Sequence, residues 1–266
     1  MVVFPNAKIN IGLNIIEKRL DGYHNIESCF YPIPFTDALE VIESKELSFS
    51  SSGLEIPGIG NDNLCLKAYQ LLKQKHELPP VAIHLHKNIP IGAGLGGGSA
   101  DGAFMIKLLN EKFNLEISLK EQEKLADQLG SDCPFFIRNE AVYVEGKGDV
   151  FSPINFSLKG KFLVLVLPNI HVSTAEAYQG IIPTKASKKL KKVLESTHIK
   201  AYQGAVENGF EKSVFGQHPT LAQLKKELLA QGAVYASMSG SGASLFGVFK
   251  KEPNFKSSHP FKVFQL

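Results

Sequence analysis

Cysteine, net charge and long apolar runs are all scarce in this sequence, and each shortage excludes a class of protein. The three cysteines among 266 residues are too few and too widely spaced for a disulfide framework or a cysteine metal site. Lysine plus arginine number 29 against 26 acidic residues, and a net charge of +3 gives no argument for a nucleic acid or a membrane as partner. No uncharged apolar run reaches the roughly 20 residues of a membrane-spanning helix. The first ten residues, with Pro5 and Asn6, are not typical of a signal peptide, so we expect a cytoplasmic protein.

The sequence does contain mixed helical and strand patterns. Alternating apolar residues predict strands over 7–16, 38–50 and 81–86. Helical spacing predicts one helix over 61–75, capped by Asn61 or Asp62, and another over 102–113. Ser118 and Glu121 form a capping-box pattern that begins a third helix. A second series of strand and helix patterns begins near residue 152, which predicts α+β domains over 1–152 and 153–266.

The segment Pro90–Asp101 has the strongest functional pattern, with five glycines between positions 92 and 98. Glycines in such number cost backbone entropy, but between a strand and a helix their N–H groups can converge on a phosphate. The segment lacks the lysine of a Walker A loop and is not a Rossmann fingerprint. We expect Ser99 to cap the helix or bind phosphate, and valine at Gly96 or Gly97 to weaken phosphate binding without unfolding the protein. The alternative is a flexible surface turn.

This glycine segment resembles the phosphate-binding loop of the GHMP kinases. Two other segments are similar to motifs of that superfamily, Pro5–Asn10 near the start and Ser237–Ser244 near the end. The three motifs follow the order that they have in the superfamily, and the resemblance extends over most of the chain. The resemblance implies an α+β, two-domain GHMP kinase fold. Its N-terminal domain would be like domain 2 of ribosomal protein S5, and its C-terminal domain would be ferredoxin-like. It also implies ATP as the phosphate donor.

The resemblance implies Lys8 and Asp132 as catalytic residues. From the residues alone, a solvated strand lysine is the favoured interpretation of Lys8 and a loop cap that of Asp132. The implied nucleotide-binding residues are Asn63, Lys87, Pro90, Gly92, Gly94, Leu95, Gly96, Gly97, Gly98 and Ser99. A solvated strand end is the alternative for Lys87. We expect Mg²⁺ to be carried largely by ATP and water, because no protein ligand can be identified.

Two further segments, Arg19–His24 and Leu129–Phe136, resemble the branch of the superfamily whose acceptor is a cytidine diphosphate sugar alcohol. The resemblance implies that Tyr23 and Tyr178 cover the faces of the cytosine and that His24 hydrogen-bonds its edge. Asn10 and Thr174 are the remaining implied substrate contacts. A tyrosine and a histidine after a turn are equally consistent with a partly buried structural pair.

The implied activity is ATP-dependent phosphorylation of the 2-hydroxyl of cytidine diphosphate-linked methylerythritol, on the methylerythritol phosphate route to isoprenoid precursors. The alternatives are a homoserine- or mevalonate-type GHMP kinase and a nucleotide-binding sensor without catalysis. We expect small-molecule partners, no nucleic acid and no membrane, and a monomer or homodimer. One departure is Gly209, which stands where relatives often have aspartate.

Overall fold

A computed structural model describes residues 1–57, 62–183 and 189–266. The strands are β1 (Val2–Val3), β2 (Asn6–Lys18), β3 (His24–Thr36), β4 (Ala38–Glu43), β5 (Ser48–Gly53), β6 (Val81–Lys87), β7 (Val142–Glu145), β8 (Val150–Pro153), β9 (Phe162–Val166), β10 (Tyr235–Met238), β11 (Leu245–Phe249) and β12 (Phe261–Gln265). The helices are α1 (Leu64–Lys73), α2 (Gly97–Lys112), α3 (Leu119–Asp127), α4 (Cys133–Arg138), α5 (Thr174–Tyr178), α6 (Leu190–Ser196), α7 (Glu211–Gln217) and α8 (Pro219–Ala230), with a 3₁₀ turn at Ile199–Ala201. None of these described helices has the length and apolar character needed to cross a membrane.

The chain packs into two compact units that interleave along the sequence. The first unit comprises 1–7, 34–91 and 96–140, and the second comprises 8–33, 92–95 and 141–266. The glycine segment is therefore divided, with 92–95 in the second unit and the residues from 96 onward in the first. The domain boundary predicted at 152 stays a prediction.

The first unit is built on a four-stranded sheet in the order β1-β4-β6-β5. Strand β4 is antiparallel to β6, whereas β5 is parallel to β6 and reaches it through α1. The strand pattern predicted over 38–50 is confirmed as two strands, β4 and β5, which pair with opposite sides of β6. Alternate residues of β6, Val81, Ile83 and Leu85, are buried. Helix α2 packs against α1 and α4, and α3 packs against α4.

Local capping chemistry explains where two helices of the first unit begin. The predicted capping box is confirmed, since the Ser118 hydroxyl accepts from the Glu121 N–H and the Glu121 carboxylate accepts from the Ser118 N–H. Helix α1 is capped by Asn63, whose Oδ1 accepts from the Cys65 N–H at 2.9 Å. Asp62 instead pairs with Lys67 at 3.0 Å, so its predicted capping role is wrong. Asn61 lies outside the described residues.

The second unit contains two four-stranded sheets, in the orders β2-β3-β7-β8 and β10-β11-β9-β12. Strand β9 is antiparallel to both β11 and β12, and Leu163–Val166 are buried, as their uninterrupted apolar run predicts. Helix α8 packs on β10 and β11 and buries Leu221, Leu224 and Leu228, three residues at helical spacing. These side chains belong to one apolar core with Val164 and Leu245.

Candidate active site

The later half of the glycine segment forms the first turn of α2. This helix begins at Gly97, well before the predicted start at 102, and its N-cap is Gly96 with a left-handed φ of 70°. Ser99 lies inside the first turn, so its predicted capping role is wrong. The first backbone N–H groups of a helix have no partner within the helix and attract anions. The later half of the segment therefore has the geometry of a phosphate site.

The glycines of this turn differ in what surrounds them. A Cβ at Gly97 would lie 2.8 Å from Cγ2 of Ile89 and 3.1 Å from Nζ of Lys87. Valine at 97 would therefore strain the turn, and at Gly96 the left-handed φ adds a cost of its own, so the retained fold stays a prediction. At Gly98 a Cβ would meet nothing within 4 Å. Gly98 is thus the position of this turn where a ligand can approach the backbone.

A cavity of about 380 Å³ lies beside this turn, a volume typical of small-ligand sites. Its wall includes the apolar Phe49 and Ile91 together with Asn63, Gly98 and Asp101. Because Oδ1 of Asn63 already caps α1, a ligand would meet its Nδ2 donor. The open position at Gly98 therefore faces a cavity that has both apolar and polar walls.

Lys87, at the end of β6, also lines the cavity, but it is 2% exposed, so the alternative of a solvated strand end is wrong. Its ammonium donates to Oδ2 of Asp37 at 2.5 Å and to Oδ2 of Asp101 at 2.6 Å. Oδ1 of Asp37 accepts from the N–H groups of Asn88 at 2.6 Å and Ile89 at 2.8 Å. This buried triad of Asp37, Lys87 and Asp101 connects the chain entering the glycine segment to the helix leaving it.

The earlier half of the glycine segment is held within the second unit. Gly94 has a φ of 76°, and a Cβ there would lie 2.0 Å from the carbonyl oxygen of Ser239. The Ser239 hydroxyl donates to the Gly94 carbonyl at 2.8 Å, and the Ser244 N–H donates to the Ala93 carbonyl at 3.3 Å. The side chain of Leu95 is buried. The segment Ser237–Ser244 is thus the support on which this half packs.

Two buried side chains that the sequence analysis did not identify hold that support. Asn208 donates through Nδ2 to the carbonyls of Met238 and Gly240, both at 2.8 Å. Oε1 of Glu211 accepts from the Ser237 hydroxyl and from the Met238 N–H, while Oε2 accepts from Lys225. Gly209, between them, donates its N–H to the Leu13 carbonyl at 2.7 Å. The sequence feature that could have identified Asn208 and Glu211 is a pair of polar residues on either side of Gly209 and Phe210, at the start of α7.

Lys8 and Asn10 point to one side of β2 in the second unit, as their spacing predicts. Lys8 is 4% exposed and is therefore not a solvated lysine. Its ammonium donates to Oδ1 of Asn10 at 2.7 Å and to the Gly94 carbonyl at 3.4 Å, and it lies 4.6 Å from the centre of the Phe30 ring. Nδ2 of Asn10 donates in turn to the Ser28 hydroxyl at 2.9 Å. The predicted catalytic lysine is thus held beside the earlier half of the glycine segment.

Asp132 precedes α4 in the first unit and is half-buried. It occupies the N-cap position, but its side chain accepts no capping hydrogen bond, so the alternative of a loop cap is wrong. The pairing of Asp132 with Lys8 of the second unit stays a prediction.

The residues predicted to hold a base lie in the second unit. The rings of His24 and Tyr178 stack at a centroid distance of 4.5 Å, and the Tyr178 ring meets Phe210 edge-on at 4.8 Å. Tyr23 is 60% exposed and has the Lys147 ammonium 5.4 Å from its ring centre. Thr174 begins α5 beside Tyr178. The structure therefore brings His24 and Tyr178 together, with their facing sides in contact.

The remaining predicted contacts, Pro90 and Gly92, flank the point where the chain passes between the units, and Gly92 lies near His171. Within residues 1–57, 62–183 and 189–266, no three histidine, cysteine, aspartate or glutamate side chains group closely enough to hold a metal ion.

Two family models match the chain, the GHMP kinases N terminal domain over 63–140 and the GHMP kinases C terminal domain over 186–256. The 4-diphosphocytidyl-2-C-methyl-D-erythritol kinase of Cytophaga hutchinsonii is 52% identical over 254 residues, which are 95% of this chain and 94% of the relative. The kinase of the same name from Bacteroides fragilis is 54% identical over 256 residues, 95% of this chain and 93% of the relative.

Solved structures show the same fold. A crystal structure of 4-(cytidine 5'-diphospho)-2C-methyl-D-erythritol kinase is 29% identical, with a TM-score of 0.79, and covers 93% of this chain and 90% of its own. The Streptococcus pneumoniae phosphomevalonate kinase in complex with phosphomevalonate and AMPPNP is 15% identical, with a TM-score of 0.68 over 95% of this chain and 93% of its own, a likeness of fold alone. The predicted two-domain GHMP kinase fold is confirmed.

Proposed function

The chain belongs to the 4-diphosphocytidyl-2-C-methyl-D-erythritol kinases of the GHMP superfamily, and we propose that it transfers the γ-phosphoryl group of ATP to the 2-hydroxyl of 4-diphosphocytidyl-2-C-methyl-D-erythritol. This reaction belongs to the methylerythritol phosphate route to isoprenoid precursors. The observation that carries the proposal is the identity of 52% and 54%, sustained over 95% of the chain, to two kinases of that name.

The proposed ATP site is the cavity beside the first turn of α2. Its support is the open approach to the backbone at Gly98, the unpaired N–H groups of the helix start and the adjoining pocket wall of Phe49 and Asn63. In this proposal the Asn63 Nδ2 would donate to a ring nitrogen of the base, and the phosphates would bind at the glycines.

The proposed chemistry uses Lys8 and Asp132. Asp132 accepts the proton of the 2-hydroxyl as that oxygen bonds to the γ-phosphorus and the bond from phosphorus to the β,γ-bridging oxygen breaks, which leaves ADP. The Lys8 ammonium stabilises the negative charge on the attacking oxygen. The transition state of phosphoryl transfer is loose, so positioning and charge stabilisation supply most of the rate. The two residues lie in different units, and their joint action is supported by the family resemblance.

Mg²⁺ is proposed to arrive with ATP. The side chains of the described ATP site fit a metal poorly, because the carboxylates of Asp37 and Asp101 are already bound to Lys87. When bound to ATP, the ion would neutralise phosphate charge. No residue of the described chain is assigned to it.

The cytosine is proposed to bind at His24 and Tyr178. Burial, with the nearby charge of Lys18, lowers the pKa of His24, so its ring is neutral at pH 7 and can accept or donate at a base edge. Since His24 and Tyr178 now stack directly, the base would replace His24 against the Tyr178 face.

An assay with competing acceptors tests the function. We expect ATP consumption with 4-diphosphocytidyl-2-C-methyl-D-erythritol and none above background with mevalonate or homoserine. Turnover with either of the latter would favour another GHMP kinase. ATP binding without turnover of any acceptor would favour a nucleotide sensor.

A further inference from the structure

The buried triad of Asp37, Lys87 and Asp101 holds one positive and up to two negative charges out of water. All three side chains are at most 5% exposed. Asp37 uses both carboxylate oxygens, one for Lys87 and one for two backbone N–H groups, which are contacts made to an anion. Asp101 uses only Oδ2, and its Oδ1 is buried without a hydrogen-bond partner. If both carboxylates were ionised, the triad would bury one uncompensated negative charge, whereas a proton on Asp101 makes the triad neutral.

The triad lies where a proton on Asp101 would affect the binding of ATP. Asp101 and Lys87 form part of the same cavity wall as Gly98, the open position of the phosphate turn. A net negative charge in this wall would repel the phosphates of ATP through a medium of low dielectric constant. Lys87 also lies 3.1 Å from the position that a Cβ would take at Gly97, so its placement sets the shape of the turn.

We infer that Asp101 is a positioning residue that acts as a neutral acid, holding Lys87 under the first turn of α2 and keeping the wall of the phosphate site free of net negative charge. The inference rests on the proposed function, because ATP is taken as the ligand. Asp101 is not a catalytic residue, since it acts on ATP through Lys87 and through the charge of the wall.

The groups facing Asp101 support this assignment. Burial raises the pKa of Asp101 to about 8, with Lys87 opposing the rise and Asp37 adding to it. Burial opposes the ionised form of Lys87, but Asp101 and Asp37 raise its pKa above 10.5, so it stays charged up to that pH. Cys65 of α1 and Cys133 of α4 have pKa values raised by burial and remain thiols. The other elements packed against α2 are α3, β4 and β1. The charged side chains of α3 and β4 are exposed or half-buried, and β1 has no charged side chain.

The test is the equilibrium dissociation constant of MgATP, measured calorimetrically between pH 7 and pH 9. If ATP binds only when Asp101 is neutral, a pKa of about 8 predicts affinity about tenfold weaker at pH 9 than at pH 7. Asp101→Asn, which mimics the neutral acid, should lose this pH dependence. Asp127→Asn, the same substitution at an exposed position of α3, should keep it.

Parallel pH profiles of wild type and Asp101→Asn would overturn the inference. A protein that binds ATP as predicted but does not phosphorylate the cytidine substrate would refute the proposed function and leave this inference standing. Binding and turnover therefore test the two separately.

Discussion

The two halves of the glycine segment need glycine for different reasons. In the second unit, Gly94 has a left-handed φ and no room for a Cβ, because the Ser239 carbonyl lies 2.0 Å from that position. In the first unit, Gly98 lies in a helical turn with nothing within 4 Å. The structure requires glycine at the first position for packing, whereas at the second only a ligand would require it. An open glycine that costs helix stability is therefore a better indication of a binding site than a crowded one.

The supports of the two halves also differ. The earlier half rests on backbone held by the Asn208 amide and by the Glu211 carboxylate, which also pairs with Lys225. The later half rests on a triad with an odd number of ionisable groups, one lysine and two aspartates. The inference about Asp101 predicts that ATP binding at the later half depends on pH.

The largest expected effect comes from Asp132, which lies in the first unit, together with Lys8, which lies in the second. Asp132→Asn should lower kcat by about 10²–10⁴-fold with little change in the affinity for ATP or substrate, since base catalysis is removed and the binding contacts lie elsewhere. Steady-state kinetics with direct binding measurements check this. If Lys8→Met and Asp132→Asn act on one oxygen, the double variant should lose less than the product of the single losses. Near wild-type turnover of Asp132→Asn would refute the carboxylate assignment, and losses that simply multiply would refute the pair.

Gly94→Ala tests the crowded half. We expect the free energy of unfolding to fall by more than about 2 kcal/mol, because the methyl group must displace backbone. Gly160→Ala is the matched control, since Gly160 has a φ of 77° and open space around it in the same unit. It should lose only the roughly 1–2 kcal/mol of a left-handed alanine. Equal losses in urea denaturation would show that φ, and not the Ser239 contact, sets the cost.

Tyr178→Ala separates the base site from the ATP site. Loss of one stacking face should weaken binding of the cytidine substrate by about 1–3 kcal/mol, with little change for ATP. Tyr178→Phe, which keeps the ring against Phe210 and His24, should bind the substrate nearly as well as wild type. An equal loss of affinity for both ligands in Tyr178→Ala would mean that the residue supports the second unit generally.

Gly98→Val tests the open half. The branched side chain would occupy the approach to the helix start, so ATP affinity should fall at least about tenfold, or 1.4 kcal/mol, while folding is retained. Gly216→Val, at a helical glycine that is also open in α7, controls for the cost of valine in a helix. Unchanged ATP affinity in folded Gly98→Val would remove this turn from the nucleotide site.

Structure close in sequence was predictable because its causes are local. The capping box of Ser118 and Glu121 depends on residues three apart, and the buried strand β9 depends on its own apolar run. The glycine segment and the other motifs likewise identified the family and its fold, since each motif is a short run of chain. The errors at Ser99 and Asp62 were also local: Gly96, three residues before Ser99, is the N-cap of α2, and Asn63, next to Asp62, is the N-cap of α1.

The sequence by itself determined the fold class, the glycine segment and the residues Lys8 and Asp132 as candidates. Only the tertiary structure decided what each glycine and charge does. Lys87 meets Asp37 from 50 positions away, and that contact turns an apparently solvated lysine into part of a buried triad. Gly94 is crowded by Ser239, 145 positions along the chain. Charge balance and crowding depend on residues distant in sequence, because folding brings these residues together. Burial also removes the water that would otherwise screen their charges.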